Sequence, residues 1–578
     1  MIGLNKIGLN QVQLNRLRLN APFPTCRKMA GGGGSGDGFP VLPGDVTRWH
    51  FGGLTNEMMA AMDDPRIEDA DGKGRFLSFK NLAWGGMSGV GGYVQNFNYF
   101  RNNATVDKVR IDEQSSNSIK VTLLTSGMGH VIYIPKDVYQ FNKSYFIKIS
   151  SEGYNEGDLF LSFYAPSTST ATTVKVPLNP NGITEIPAIK EDDFLAVYLF
   201  NAAGKVGSIT IEQLPLYPGA LVFDGVDDYG VCENFPILTK EKGYTVVALR
   251  QWISMGEGIS GLVSNVKNWF NDGAFVLEYN SNNATNKFVN RPVSFGNVNI
   301  EMDLPNNFTY QTSKSYKGVP ITTGSFKGTN SLFVGKLNNI IGNCSNVAIW
   351  ELVFLDHDAT EEELTKIKDY FVKIYPWLFP NQAWTVTGKT NEDEDRATIA
   401  NITGNGNDLV LSNFGFAEGS GYNEEGEYAG YLVTDGVDDK IASSDFKIDK
   451  DFTIVGDWKF IIDENKGCGL VKVPKLFIYN SKTGLDIYIN SNSIKNILSG
   501  IKGLNAVCSD GRVYDCNWNE ISVKYGNIVD INSSFLIANS GNIFTKMAFK
   551  NLGIYNNQLL SKDECIKAYN YLQTLKAK

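Results

Sequence analysis

The 578-residue sequence predicts an all-β chain of repeated sandwiches, and three observations predict it. Aromatic residues make up 12 % and stand among β-branched residues punctuated by Gly (58 in all) and Asn, a mix that favours strands and tight turns. Short stretches with alternating polarity recur, as at 119–124, 145–149 and 194–200. Finally, a set of turn and strand signatures occurs twice in the same order.

Composition bounds the chemistry. A length of 578 residues suggests several domains of ordinary size. The formal charge of -9 and pI near 5.2 argue against a nucleic-acid partner. No window has the uninterrupted apolar length of a membrane span, so no membrane partner is expected. The three histidines (His50, His130, His357) are far apart, and the seven cysteines include no CxxC. Zinc clusters and a complete disulfide framework are therefore not expected. The opening residues do not read as a secretion signal, and unpaired thiols suit a reducing compartment.

Those opening residues form a pentad repeat. Ile2, Ile7, Val12 and Leu17 make one column, Leu4, Leu9, Leu14 and Leu19 a second, and Asn5, Asn10, Asn15 and Asn20 a third. Apolar steps of two and three suit neither a helix nor a flat strand. They suit short extended pieces broken by Asn, which tolerates left-handed backbone. A segment this short cannot close a core alone, so residues 1–30 are expected to anchor and oligomerise the chain. A Gly-rich linker and connector follow at 31–70.

The repeat sets the domain plan. With a constant offset of 332, Gly72, Gly74, Leu77, Asn81 and Ser88-Gly89 match Gly404, Gly406, Leu409, Asn413 and Ser420-Gly421. LVFDGVDDYG at 221–230 matches LVTDGVDDKI at 432–441, and Asn346–Trp350 matches Asn551–Tyr555. Thr360-x-x-Glu363 and Ser561-x-x-Glu564 then open amphipathic runs as capping boxes. Between the first and second of these landmarks the first copy is longer by about 118 residues, the size of a domain. The expected plan is one sandwich from 71–93 and 217–376, an inserted β-sandwich module at 94–216, and a second sandwich at 377–578.

Together these motifs resemble the laminin-G-like, concanavalin-A-like lectin sandwich. Its final turn resembles Ile554–Glu564 here, while the first copy departs after Trp350 into a longer loop. The order of anchor, flexible joint, DGVDDYG sandwich and LPLYPGAL junction (214–221) is similar to virion fibres of crAss-like phages of Bacteroidales, head or tail. That resemblance implies a virion location, a homo-oligomer (a trimer by analogy with phage fibres), attachment to capsid or tail structural proteins, and contact with host surface polysaccharide. The alternatives are an exported bacterial lectin or polysaccharide-acting enzyme, and a capsid decoration without ligand.

Enzyme motifs are absent from the sequence. Gly388-Lys389-Thr390 lacks the earlier P-loop glycine, since Ala383 stands there. The acids of Glu392–Asp395 are consecutive rather than alternating on one strand face. No enzyme and no cofactor are expected. The DGVDD carboxylates could hold Ca²⁺, but a tight Asp-Gly turn with the other acids facing solvent is favoured. Candidate glycan contacts are Trp269, Phe270, Tyr310 and Trp518, aromatics set among Asn residues that could bond sugar hydroxyls.

Overall fold

The structure is a computed structural model. It describes residues 38–577 apart from 104–106, 166–171, 240, 255–259, 267–274, 281–287, 290–306, 321–328, 339–342, 462–467, 474–475, 482–483, 490–491, 495–502, 523–530 and 538–545. The pentad columns Ile2, Leu4, Ile7, Leu9, Val12, Leu14, Leu17 and Leu19 lie outside these residues.

The described chain is all-β apart from short helices, and every sheet is antiparallel. Two large sandwiches share one strand plan. In the first, the long strand Asn346–Leu355 lies between Thr245–Ser254 and Leu221–Asp224, and the latter pairs onward with Gly89–Val90. In the second, Met547–Asn556 lies between Phe452–Phe460 and Tyr431–Val433, which pairs with Gly421–Asn423. The inserted module sits in the connection between Gly89–Val90 and Leu221–Asp224, where the second copy needs only a hairpin. It is itself a sandwich of two five-stranded sheets closed over Val121, Ile134, Phe163 and Leu199.

Two landmarks of the repeat have a direct structural cause. Asn81 and Asn413 hold left-handed φ of 66° and 68°, and each amide donates to the carbonyl of Asp227 or Asp438 in the DGVDD turn. Asn tolerates this conformation better than most residues. Both capping boxes form, opening helices α2 (Glu361–Ile374) and α3 (Lys562–Gln573); α1 is the short Asn56–Ala60. Helices α2 and α3 do not face solvent as separate ends. Phe371, Tyr569 and Leu572 enter one apolar cluster with Phe146 of the inserted module, Val247 of the first sandwich and Val455 of the second.

The connector boundary is corrected here. Residues Val46–His50 pair with Glu351–Leu355 and belong to the first sandwich, as do α1 and Arg66–Glu68. Their counterpart is Gln382–Thr385 on Met547–Asn556. In both copies a Trp is buried and its indole N–H donates to a backbone carbonyl: Trp49 to Arg75, Trp384 to Asn407. Asn56 then clamps Val90 through both its N–H and its C=O, and Asn391 clamps Tyr422 likewise. This fifth shared element escapes a constant-offset reading because the loop from Asn to the GxG turn is three residues shorter in the second copy.

The clamp closes an edge strand by its own backbone groups, so removing it leaves a buried donor and acceptor unpaired. Asn56→Ala and Asn391→Ala are each expected to lower stability by about 2–3 kcal/mol. Urea denaturation of each variant measures this, and Asn391→Asp should recover only the N–H half of the pair.

Candidate functional site

Between the two sandwiches runs a cleft of about 600 Å³. One wall is the strand Phe308–Thr312 of the first sandwich, with Lys368 of α2; the other is Phe379–Asn381 and the Thr403–Asn405 turn of the second. Strand alternation assigns the wall residues. Thr309 and Gln311 are buried in the first sandwich, while Phe308 and Tyr310 are half-buried and line the cleft. Burial, with Glu361 nearby, raises the Tyr310 phenol, so it stays neutral and offers both a ring face and a hydroxyl.

The floor carries unmet hydrogen-bonding capacity. The Asn307 amide N–H groups donate to Leu378 O (2.7 Å) and Tyr571 Oη (2.9 Å). Its Oδ1, and Oε1 of Gln558, meet no partner among the described residues. Rings beside amides, with Lys317 and Lys368 at the margin, are the groups that bind saccharides: ring faces stack, amides bond hydroxyls.

A buried ion network holds the Tyr310 strand in place. Arg250 grips Glu278 through two bonds, Nε to Oε2 at 2.7 Å and Nη2 to Oε1 at 2.6 Å. Trp252 Nε1, Thr309 Oγ1 and Tyr316 Oη donate to the same carboxylate. Burial pushes the Glu278 carboxyl up, but the Arg250 charge and these donors outweigh it and hold it at about 2. Both charged side chains are sealed from solvent, so the network is a brace for Thr309 and the neighbouring Tyr310 rather than a binding surface.

The duplicated DGVDD turns form the second set of polar residues. Asp224, Asp227 and Asp228 each bring a carboxylate oxygen within 4.8 Å of the others, as do Asp435, Asp438 and Asp439. The expectation that the acids beyond the turn face solvent is corrected for Asp228 and Asp439. Both are buried, because each accepts the backbone N–H of the turn's first Asp, at 3.0 and 2.7 Å. Burial pushes Asp228 up to about 7 and Asp439 to about 6, with the neighbouring carboxylates adding to the rise. These are the oxygens a Ca²⁺ would use, though three carboxylates fall short of the about 6–8 oxygens that ion takes.

Of the sequence candidates, Tyr310 lines the cleft. Trp269 and Phe270 lie outside the described residues. Trp518 is corrected: it is 2 % exposed, with its ring against Tyr514 and Tyr569. The left-handed turn at Trp518 (φ 61°) is pinned by Asp515, which accepts the N–H of Asn517 and Asn519. Asn517, Trp518 and Asn519 border a second hollow of about 420 Å³, to which a ring 2 % exposed offers almost no stacking face. Sequence reasoning missed Phe308, Phe379 and Asn405. Phe308 carried a usable signal, its spacing of two from Tyr310, whereas the other two reach the cleft only through packing between sandwiches.

No protein-family model matches the chain, and no curated protein matches it. Among solved structures, a Trypanosoma rangeli sialidase aligns with 92 % of this chain and 99 % of its own, at 10 % identity and TM-score 0.24. The botulinum neurotoxin serotype D binding domain aligns with 59 % of this chain and 88 % of its own, at 11 % identity and TM-score 0.23. A truncated AlyQ with CBM32 and alginate lyase domains aligns with 59 % and 92 %, at 9 % identity and TM-score 0.18. With sialidases among the matched structures, the exclusion of catalysis drawn from the sequence is withdrawn; at these TM-scores the matches assign no activity to the chain either.

Proposed function

We propose that the chain is a fibre protein of a bacteriophage particle. Its first 30 residues anchor it to capsid or tail structural proteins and assemble it as a homo-oligomer, a trimer by analogy with phage fibres. Its paired sandwiches adhere to host surface polysaccharide through the cleft between them. The observation that carries the adhesion reading is the cleft: two half-buried rings, Phe308 and Tyr310, line a space of about 600 Å³ together with Asn307 and Gln558, whose amide oxygens meet no partner among the described residues. The pentad repeat supports the anchor, since columns of Leu and Ile in so short a segment need a second surface to bury them. Weak single contacts then gain strength from copy number.

Two experiments on the full chain test this. On an array of uncharged bacterial surface glycans, Tyr310→Ala is expected to weaken binding about tenfold, the loss of one stacking contact, with the melting temperature unchanged. Deleting residues 1–30 should abolish both self-association and attachment to particles. Equal glycan binding by Tyr310→Ala overturns the cleft, and an unaltered oligomeric state after the deletion overturns the anchor.

A further inference from the structure

The inserted module presents its two sheets to different surroundings. One sheet turns Phe146 onto Tyr569 of α3, with ring centroids 5.3 Å apart, and sets Glu185 beside Lys459 at 3.7 Å. That face is spent on the second sandwich. The other sheet runs Val174–Pro177, Leu159–Tyr164, Ala196–Asn201, Gly129–Pro135 and Arg101–Asn102. Its inward residues, among them Phe163, Val197, Leu199 and Ile134, fill the module's core.

Its outward residues build a plate of rings. Tyr198 stands opposite Tyr133 on one neighbouring strand, and Phe200 opposite His130. His130 stacks on Tyr198 at 4.3 Å, and Tyr133 and Tyr164 lie 5.6 and 5.9 Å from Tyr198. All are half-buried, each covering part of the next. Rings that brace one another lose little conformational freedom when a ligand arrives. Burial, with Lys175 adding, lowers the His130 pKa, so its ring behaves as a neutral aromatic at neutral pH.

Charge on this sheet is one-sided. Its five strands contain no Asp or Glu, in a chain whose net charge is -9. Cations stand at both edges: Lys175, with Nζ 4.7 Å from the Phe200 ring centre, and exposed Arg101, paired with Tyr133. Size points the same way. The rings sit on three neighbouring strands about 4.8 Å apart, giving a plate on the order of 150 Å². A stable protein partner needs about 800 Å² per side. A few sugar rings fit where a protein does not.

We infer that this outer sheet of the inserted module is a second carbohydrate site, one that takes a linear polysaccharide of equatorially linked pyranose rings bearing carboxylates. Flat sugar faces stack on Tyr198, His130 and Tyr133, and the carboxylates reach Lys175 and Arg101. The site is separate from the cleft, and either can fail without the other.

Native affinity gels of the full chain test it with three soluble polymers: carboxymethylcellulose, hyaluronan, and hydroxyethylcellulose as the uncharged counterpart of the first. Wild type is expected to be retarded by the two acidic polymers. Tyr198→Ala should weaken that retardation at least tenfold, Lys175→Glu should weaken it with melting unchanged, and Tyr310→Ala should leave it intact. If Tyr198→Ala fails to fold, Lys175→Glu decides. The inference is overturned if neither acidic polymer retards wild type, if hydroxyethylcellulose does so equally, or if only Tyr310→Ala matters. Self-association lost in Lys175→Glu, with polymer retardation unchanged, assigns the face to a second copy of the chain and also overturns it.

Discussion

Glu278→Gln is expected to destabilise the first sandwich by about 3–5 kcal/mol, the largest effect of any single change considered. The substitution keeps the shape and removes the charge, leaving Arg250 buried with its guanidinium uncompensated. Trp252, Thr309 and Tyr316 also lose their charged acceptor. Glu278 holds a left-handed φ of 54°, unfavourable for a side chain of this size, and its five bonds keep it there. A double replacement, Arg250→Met with Glu278→Leu, should recover part of the loss, because removing both charges spares the desolvation cost of either. The pH dependence has a definite sign. The folded carboxyl is held down at about 2, below its unfolded value, so its contribution is present above about pH 4.5 and is lost as pH falls toward 2. Urea titrations at pH 7 and pH 3 read both effects. A loss under about 1 kcal/mol for Glu278→Gln would show that the brace is not what holds the Tyr310 strand.

The DGVDD turns should show the opposite dependence. Asp228 and Asp439 ionise at about 7 and about 6 when folded, well above an unfolded aspartate. As pH rises, the unfolded chain releases its protons first. Stability is therefore fully present below about pH 4 and is lost as pH climbs through 6 to 7. Wild type is expected to be less stable at pH 8 than at pH 5, by on the order of 3 kcal/mol from Asp228 and less from Asp439. The double variant Asp228→Asn, Asp439→Asn keeps an acceptor for the turn N–H and removes the titration, so its stability should be nearly level across that window. Parallel pH profiles for wild type and the double variant would refute the buried-carboxyl account of these turns.

The local signatures were legible without a structure because each rests on one residue and its near neighbours. Asn81 and Asn413 mark left-handed turns, Thr360 and Ser561 mark helix starts, and the paired GxG and DGVDD stretches announce two copies of one sandwich, the first interrupted by a module. All-β class and duplication follow from such short-range patterns. The cleft does not. Tyr310 could be read as an aromatic near Asn residues, but its placement opposite Phe379 and Asn405 depends on how α2 and α3 bury Phe371 and Leu572 between the sandwiches. Trp518 shows the converse, since its Asn neighbours suggested an open ring and packing on Tyr569 hides it. The membership of Val46–His50 and the partnership of Arg250 with Glu278 were likewise settled across the fold, by a strand some 300 residues away and by burial from every side. Short-range spacing encodes turns, caps and strand faces; which faces meet is decided by packing between distant segments, and no local pattern carries it.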